Sequence, residues 1–100
     1  MLHTINKSPF ERNSLDTCLR LAKPGSDLLF VEDGVYAVTV GTAVQDNVKK
    51  ATEEHVLYAL GPDLAARGIT EDQVIDGVNI VDYGDFVDLA AKNDRVQAWL

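Results

Sequence analysis

Short apolar runs recur along the chain, and turn-forming residues close each of them. The first four runs are residues 2–5, 28–31, 56–60 and 78–81. Residues 28–31 are apolar on both faces, which is typical of a central strand in a parallel sheet. A final element at residues 95–100 contains the only tryptophan and is most simply a last strand.

Helical patterns fill the segments between these runs. Leu15, Cys18, Leu19 and Ala22 follow the spacing i, i+3, i+4, i+7, which predicts an amphipathic helix. Asn13 is its expected N-cap, with Asp16 as capping-box partner. Further helices are predicted at 43–51, 62–67 and 82–92, a second capping box lies at 70–73, and residues 35–40 are compatible with helix or strand.

Alternation of strand and helix predicts the fold class. The chain is expected to be an α/β protein, a three-layer α/β/α arrangement with a mostly parallel sheet of about five strands. Residues 1–100 then form a single domain, since 100 residues leave no room for a second core. The turn at 32–34 is expected to be tight, with Gly34 at positive φ.

Composition excludes several classes of protein. The net charge is −7, from 9 basic and 16 acidic residues, which argues against direct binding of nucleic acid or an anionic membrane. Neither a membrane span nor a signal peptide is recognisable, so we expect a cytoplasmic protein. One cysteine and two histidines make a disulfide framework or a structural zinc site improbable, and we expect no metal and no cofactor.

The carboxyl ends of the strands are where an open parallel sheet binds ligands. Four segments are expected to meet at this rim, residues 6–9, 33–34, 61–63 and 83–85. They contain no glycine-rich phosphate loop and no GxSxG nucleophile motif. Asp82 and Asp85 are interpreted as helix caps, and His3 and His55 as structural or surface histidines.

Cys18 is the side chain with nucleophilic potential, and two roles for it remain open. A thiolate can attack a persulfide and carry the sulfur onward, provided that it is exposed and its pKa is lowered. Its place in the apolar stripe favours a buried packing role instead.

An ordered set of short sequence motifs resembles one known family over the whole chain. The motifs are Leu2-His3-Thr4 with Ser8-Pro9, Glu32-Asp33-Gly34-Val35, Tyr58-Ala59-Leu60 with Asp63-Leu64 and Ala66-Arg67-Gly68, Val81-Asp82-Tyr83 with Phe86-Val87 and Leu89, and Trp99. Together they are similar to the DsrH/TusB family. Residues 6–10 and Cys18 look more like the DsrH branch than the TusB branch.

The resemblance implies a subunit of a cytoplasmic sulfur-relay complex, a sulfurtransferase that passes persulfide sulfur between protein cysteines. Its partners would be DsrE/TusD-like and DsrF/TusC-like subunits in a dimer of heterotrimers, with a DsrC/TusE-like acceptor downstream. The sulfur would serve dissimilatory sulfur oxidation or tRNA wobble-uridine 2-thiolation, and the main acceptor cysteine would belong to the DsrE/TusD-like partner. With this resemblance, we expect the thiol of Cys18 to be at least partly accessible, as an auxiliary and non-essential sulfur carrier. The alternatives are a non-catalytic structural subunit of that complex and a flavodoxin-like ligand-binding protein.

Overall fold

Strands and helices alternate along the chain in the computed structural model, which describes residues 1–11 and 13–100. The strands are β1 (Leu2–Ile5), β2 (Asp27–Phe30), β3 (Val56–Leu60), β4 (Val78–Val81) and β5 (Val96–Trp99). The α-helices are α1 (Ser14–Leu21), α2 (Gln45–Ala51), α3 (Gly61–Ala66) and α4 (Tyr83–Lys92). Two 3-10 helices are η1 (Glu32–Val38) and η2 (Glu71–Gln73).

The sheet has five strands in the order β4-β3-β2-β1-β5, and each neighbouring pair is parallel. The predicted α/β class and the parallel sheet of about five strands are confirmed. Parallel strands need a crossover between them, and the helical segments supply these connections. The last crossover differs from the others, because α4 carries the chain from the edge strand β4 to the edge strand β5.

Most of the core lies on one face of the sheet. This is the face on which Ile5 of β1 lies beside Phe30 of β2 and Ala59 of β3, and it packs against α1, η1, α2 and α3. Its buried apolar members include Ile5, Leu28, Phe30, Leu57 and Ala59 from the strands and Leu15, Cys18, Val35, Val38, Val48 and Leu64 from the helical segments. This face therefore holds the large, closed half of the core.

The opposite face is covered by α4 and holds a smaller cluster. Leu2, Leu29 and Leu89 are its buried members. Outer strands of a five-stranded sheet lie about 19 Å apart, whereas a helix with its side chains is about 10 Å wide. Apolar side chains beside α4 consequently stay exposed, with Val56 at 42% and Val96 at 51%.

Two predicted local structures differ from the observed ones. Residues 35–40, left open between helix and strand, are the end of η1 followed by an extended segment in which Val40 N donates to the Gln73 carbonyl at 2.8 Å. Asn13 does occupy the N-cap of α1, but its side chain makes no capping hydrogen bond, so the predicted capping box with Asp16 is wrong. The capping box at Thr70 and Gln73 is confirmed and opens η2.

The predicted positive φ at Gly34 is also wrong, although a glycine is needed there. The left-handed residue of this turn is Glu32, with φ +51°. Gly34 instead lies against β1, where an added Cβ would stand 2.0 Å from the carbonyl oxygen of Ile5. Close backbone approach therefore explains this glycine.

Candidate functional site

Two of the four predicted rim segments, 33–34 and 61–63, are joined by polar contacts at the carboxyl ends of the strands. The backbone N–H of Glu32 donates to Asp63 Oδ2 at 2.6 Å. Arg67 binds Asp33 through Nε at 3.0 Å and through its second terminal nitrogen at 2.9 Å. Arg67 also donates to the Asp63 carbonyl at 3.1 Å. The polar groups of this rim are thus engaged in holding η1 against α3.

The paired carboxylates of the fourth rim segment form the N-terminal cap of α4. The backbone N–H of Asp85 donates to Asp82 Oδ1 at 2.8 Å, and the backbone N–H of Asp82 donates to Asp85 Oδ2 at 3.1 Å. This reciprocal pattern is a capping box, which satisfies backbone donors at the start of a helix. The interpretation of both residues as helix caps is confirmed.

Cys18 lies in the closed half of the core, and its expected accessibility is wrong. Its side chain is 0% exposed and packs within the cluster under α1. Burial raises the pKa of the thiol from its ordinary value to about 12, because a low-dielectric environment disfavours the thiolate. The physical reason is that Cys18 belongs to the apolar stripe of α1, and this stripe packs into the core.

His3 is buried in β1 and has a defined hydrogen-bonding partner. The indole Nε1 of Trp99 lies 3.0 Å from His3 Nδ1, and the two rings are stacked at 30° with centroids 6.1 Å apart. Because an indole N–H only donates, Nδ1 is the acceptor and the neutral ring carries its proton on Nε2. Burial, the amino-terminal ammonium and His55 together lower the pKa of His3.

His55 is equally buried and precedes β3. Its side chain is 5% exposed, and its Nδ1 has no hydrogen-bond partner in the described part of the chain. The structural interpretation of both histidines is consistent with these positions.

A buried carboxylate at the start of β2 is the polar group that sequence reasoning missed. Asp27 is 6% exposed; Asn93 Nδ2 donates to its Oδ2 at 3.0 Å, and Lys92 Nζ lies 3.4 Å from the same oxygen. Burial and the neighbouring Asp27 raise the pKa of Tyr58. The sequence signal was an aspartate at the head of an apolar run, and its partners are more than sixty residues away.

Three surface depressions lie beside the sheet, and of these only the second includes a residue of the predicted rim, Asp85. The first, about 640 Å³, lies between α1 and α2 and includes His55. The second, about 450 Å³, lies between α4 and strands β3 and β4. The third, about 630 Å³, lies where the strands begin; we call it the amino-edge pocket. It is lined by Met1, His3, Leu21, Lys23, Pro24, Gly25, Ser26, Lys92, Asn93, Asp94 and Arg95.

The described residues, 1–11 and 13–100, contain neither a cluster of metal ligands nor a membrane-spanning helix. No group of three or more His, Cys, Asp or Glu side chains is arranged there to hold a metal ion. None of the described helices has the length and apolar character that crossing a membrane requires.

Solved structures of other proteins share this fold. The YchN protein of Escherichia coli superposes with a TM-score of 0.83 and 21% identity over 97% of each chain. A protein of unknown function from Methanobacterium thermoautotrophicum, MTH1491, superposes with a TM-score of 0.75 and 17% identity, covering 97% of this chain and 96% of its own.

Sequence comparison finds relatives whose identity to this chain is higher than that of these solved structures. TusB of Erwinia tasmaniensis is 41% identical over 99 residues, which cover 99% of this chain and 100% of that protein. TusB of Escherichia coli K12 is 37% identical over 99 residues, with the same coverage. The family described as DsrH like protein matches residues 7–96. The chain belongs to the DsrH/TusB family.

Proposed function

We propose that this chain is a subunit of a cytoplasmic sulfur-relay complex that passes persulfide sulfur between protein cysteines. Membership of the DsrH/TusB family is the observation that carries the proposal. Its partners are a DsrE/TusD-like and a DsrF/TusC-like subunit in a dimer of heterotrimers, and a DsrC/TusE-like protein accepts the sulfur. Relatives named TusB favour tRNA wobble-uridine 2-thiolation as the end use over the sulfur oxidation that the DsrH-like features imply.

The burial of Cys18 supports placing the sulfur-bearing cysteine on another subunit. In the transfer step, an acceptor thiolate attacks the outer sulfur of a donor persulfide. A new S–S bond forms, the old S–S bond breaks, and the donor leaves as a thiolate without net oxidation. This attack requires an accessible thiolate, and Cys18 is fully buried with a pKa of about 12. We therefore place the main acceptor cysteine on the DsrE/TusD-like partner, and Cys18 as an auxiliary carrier is the alternative prediction.

Surface features support a role in binding partners. Tyr83 and Val87 on the outer side of α4 are 59% and 67% exposed. Val96, on the edge strand β5, is 51% exposed. Exposed apolar side chains beside an unpaired strand edge favour association with another protein. The proposed partners would cover these residues.

Co-expression with the two partner subunits tests the assembly. We expect one complex containing all three chains in size-exclusion chromatography with light scattering. Val87→Asp should weaken it, since a charge would enter the apolar contact. Val40→Asp makes the same change at a residue 45% exposed in the loop after η1 and is the control. A stable monomer that binds neither subunit would contradict the proposal.

Sulfur loading tests which subunit of the complex carries the sulfur. The purified complex is treated with a persulfide donor, and each subunit is weighed by mass spectrometry. We expect the DsrE/TusD-like subunit to gain sulfur and this chain to stay unmodified, with transfer intact in Cys18→Ala. A gain of one sulfur atom on this chain that Cys18→Ser abolishes would instead support the carrier role.

Deletion of the gene in its host tests the end use. We expect the 2-thiouridine content of the affected tRNAs to fall and to recover when the gene is restored. Unchanged 2-thiouridine together with impaired sulfur oxidation would assign the chain to the other pathway.

A further inference from the structure

The amino-edge pocket has a charge that is opposite to that of the whole chain. Acidic residues outnumber basic ones by 16 to 9 in the sequence. The pocket is lined by Lys23, Lys92 and Arg95 and by one acidic residue, Asp94, while Lys92 also lies 3.4 Å from the buried carboxylate of Asp27. The groove between α1 and α2, by contrast, balances Arg20 and Lys50 against Asp16 and Glu54. The amino-edge pocket is therefore the positively charged depression among the three.

Backbone hydrogen bonds hold the segments that carry these cations. The carbonyl of Lys23 accepts from Ser26 N at 3.1 Å and from Ser26 Oγ at 2.6 Å. The carbonyl of Arg95 accepts from Leu2 N at 3.0 Å, where β5 joins β1. Two of the three cations are thus attached to backbone that is already ordered, which lowers the entropy lost when a ligand binds.

His3 adds a buried donor to the same pocket. The side chain is 5% exposed, and Trp99 occupies its Nδ1. The proton of the neutral ring therefore lies on Nε2. Because His3 lines the pocket, its ring should respond to an anion that binds there.

We propose that the amino-edge pocket is a binding site for a compact anionic group, held by Lys23 and Arg95 beside the His3 ring. Oxygen anions such as sulfate, phosphate or a carboxylate share the required chemistry, because each offers several acceptors to charged donors. The exposed side chains of Met1 and Leu21 at the pocket, 47% and 66% exposed, leave room for an apolar group beside the anion. The source is either a free oxyanion or an acidic side chain of a bound peptide.

NMR titration of the His3 ring in the full chain tests the site. The probes are sodium sulfate and an acetylated Leu-Asp-Leu-amide peptide, with sodium chloride at matched ionic strength as reference. We expect a saturable shift of the His3 signals and a higher His3 pKa, since a nearby anion stabilises the imidazolium. Saturation by sulfate alone identifies a free oxyanion as the source, and saturation by the peptide alone identifies a carboxylate.

Charge-neutralising variants assign the shift to the pocket. Lys23→Gln and Arg95→Gln should each weaken the binding of whichever probe saturates by roughly threefold to tenfold. Lys50→Gln removes the same charge from the groove between α1 and α2 and should leave binding unchanged. The proposal is overturned if neither probe saturates, if chloride reproduces the shift, or if Lys50→Gln weakens binding as much as the pocket variants do.

Discussion

Trp99 donates its indole N–H to Nδ1 of His3 at 3.0 Å, across 96 positions of sequence. The bond joins the edge strand β5 to β1, to which it is paired with Trp99 opposite Ile5. We expect Trp99→Phe to lower the free energy of unfolding by about 1–3 kcal/mol, because it keeps an aromatic side chain but removes the indole N–H and leaves a buried acceptor unpaired. Urea unfolding followed by circular dichroism measures the change.

The matched control for this substitution is Tyr83→Phe, which alters an aromatic side chain that is 59% exposed. Its effect should stay within about 0.5 kcal/mol. Equal stability of Trp99→Phe and the unchanged protein would show that the hydrogen bond to His3 contributes nothing.

Acid should destabilise the fold through His3. Its pKa is lowered in the folded protein by burial, by the amino-terminal ammonium and by His55. The unfolded chain therefore binds the proton more readily. The stabilisation is complete above the ordinary value of about 6.5 and is lost as the pH falls from there through the lower pKa of the folded state.

The measurement is the free energy of unfolding from urea titrations between about pH 7.5 and about pH 5.5. In His3→Gln, where the amide can still accept from Trp99, the decline towards acid should be shallower. An identical pH dependence in the two proteins would exclude His3 as its source.

Gly34 should tolerate no side chain. A Cβ at this position would lie 2.0 Å from the carbonyl oxygen of Ile5, so Gly34→Ala must displace η1 from β1. We expect a loss of roughly 3 kcal/mol or more in the free energy of unfolding. Gly25→Ala is the control, since its Cβ would meet nothing within 4 Å and only the φ of +87° costs energy. That cost should be about 1 kcal/mol.

The thiol of Cys18 should be unreactive until the protein unfolds. A pKa of about 12 and complete burial leave almost no accessible thiolate at neutral pH. Alkylation by iodoacetamide, followed by mass spectrometry, should be slow in buffer and rapid in concentrated urea. Rapid stoichiometric alkylation of the native chain would contradict the burial of this thiol.

Substitution of Cys18 separates packing from reactivity. Cys18→Ala should cost about 1 kcal/mol by removing a buried atom. Cys18→Ser keeps the size but buries a hydroxyl, so it should cost more. A serine variant as stable as the unchanged protein would indicate that the site is open to water.

The strands were predictable from sequence because their apolar runs are continuous and closed by turn residues. The segment that forms η1 was not, since its apolar residues fit either period and a tertiary contact decides between them. Gly34 touches Ile5, and that contact is invisible to local patterns. The same reason explains the wrong assignment of positive φ, which falls on Glu32.

The site was predictable only in part. Two of the rim segments meet as the parallel sheet requires, but the charges there pair with one another, as Arg67 does with Asp33. The periodicity of α1 correctly indicated burial of Cys18, whereas the expected accessibility followed from the carrier role that the resemblance suggested. Lys23 and Arg95 both line the amino-edge pocket, but they are far apart in sequence, so no local sequence pattern predicts that they lie together.

Because α4 connects β4 to β5, the strand that pairs with the free edge of β1 is the last one synthesised. Strands β1 to β4 stand side by side in the order in which they are made, but the other edge of β1 is paired only with β5. A ribosome therefore exposes nearly the whole sheet before that edge of β1 finds its partner. During this interval Leu2 and Ile5 lie beside an open row of backbone donors and acceptors, which is where a nascent chain is vulnerable to pairing with a neighbour.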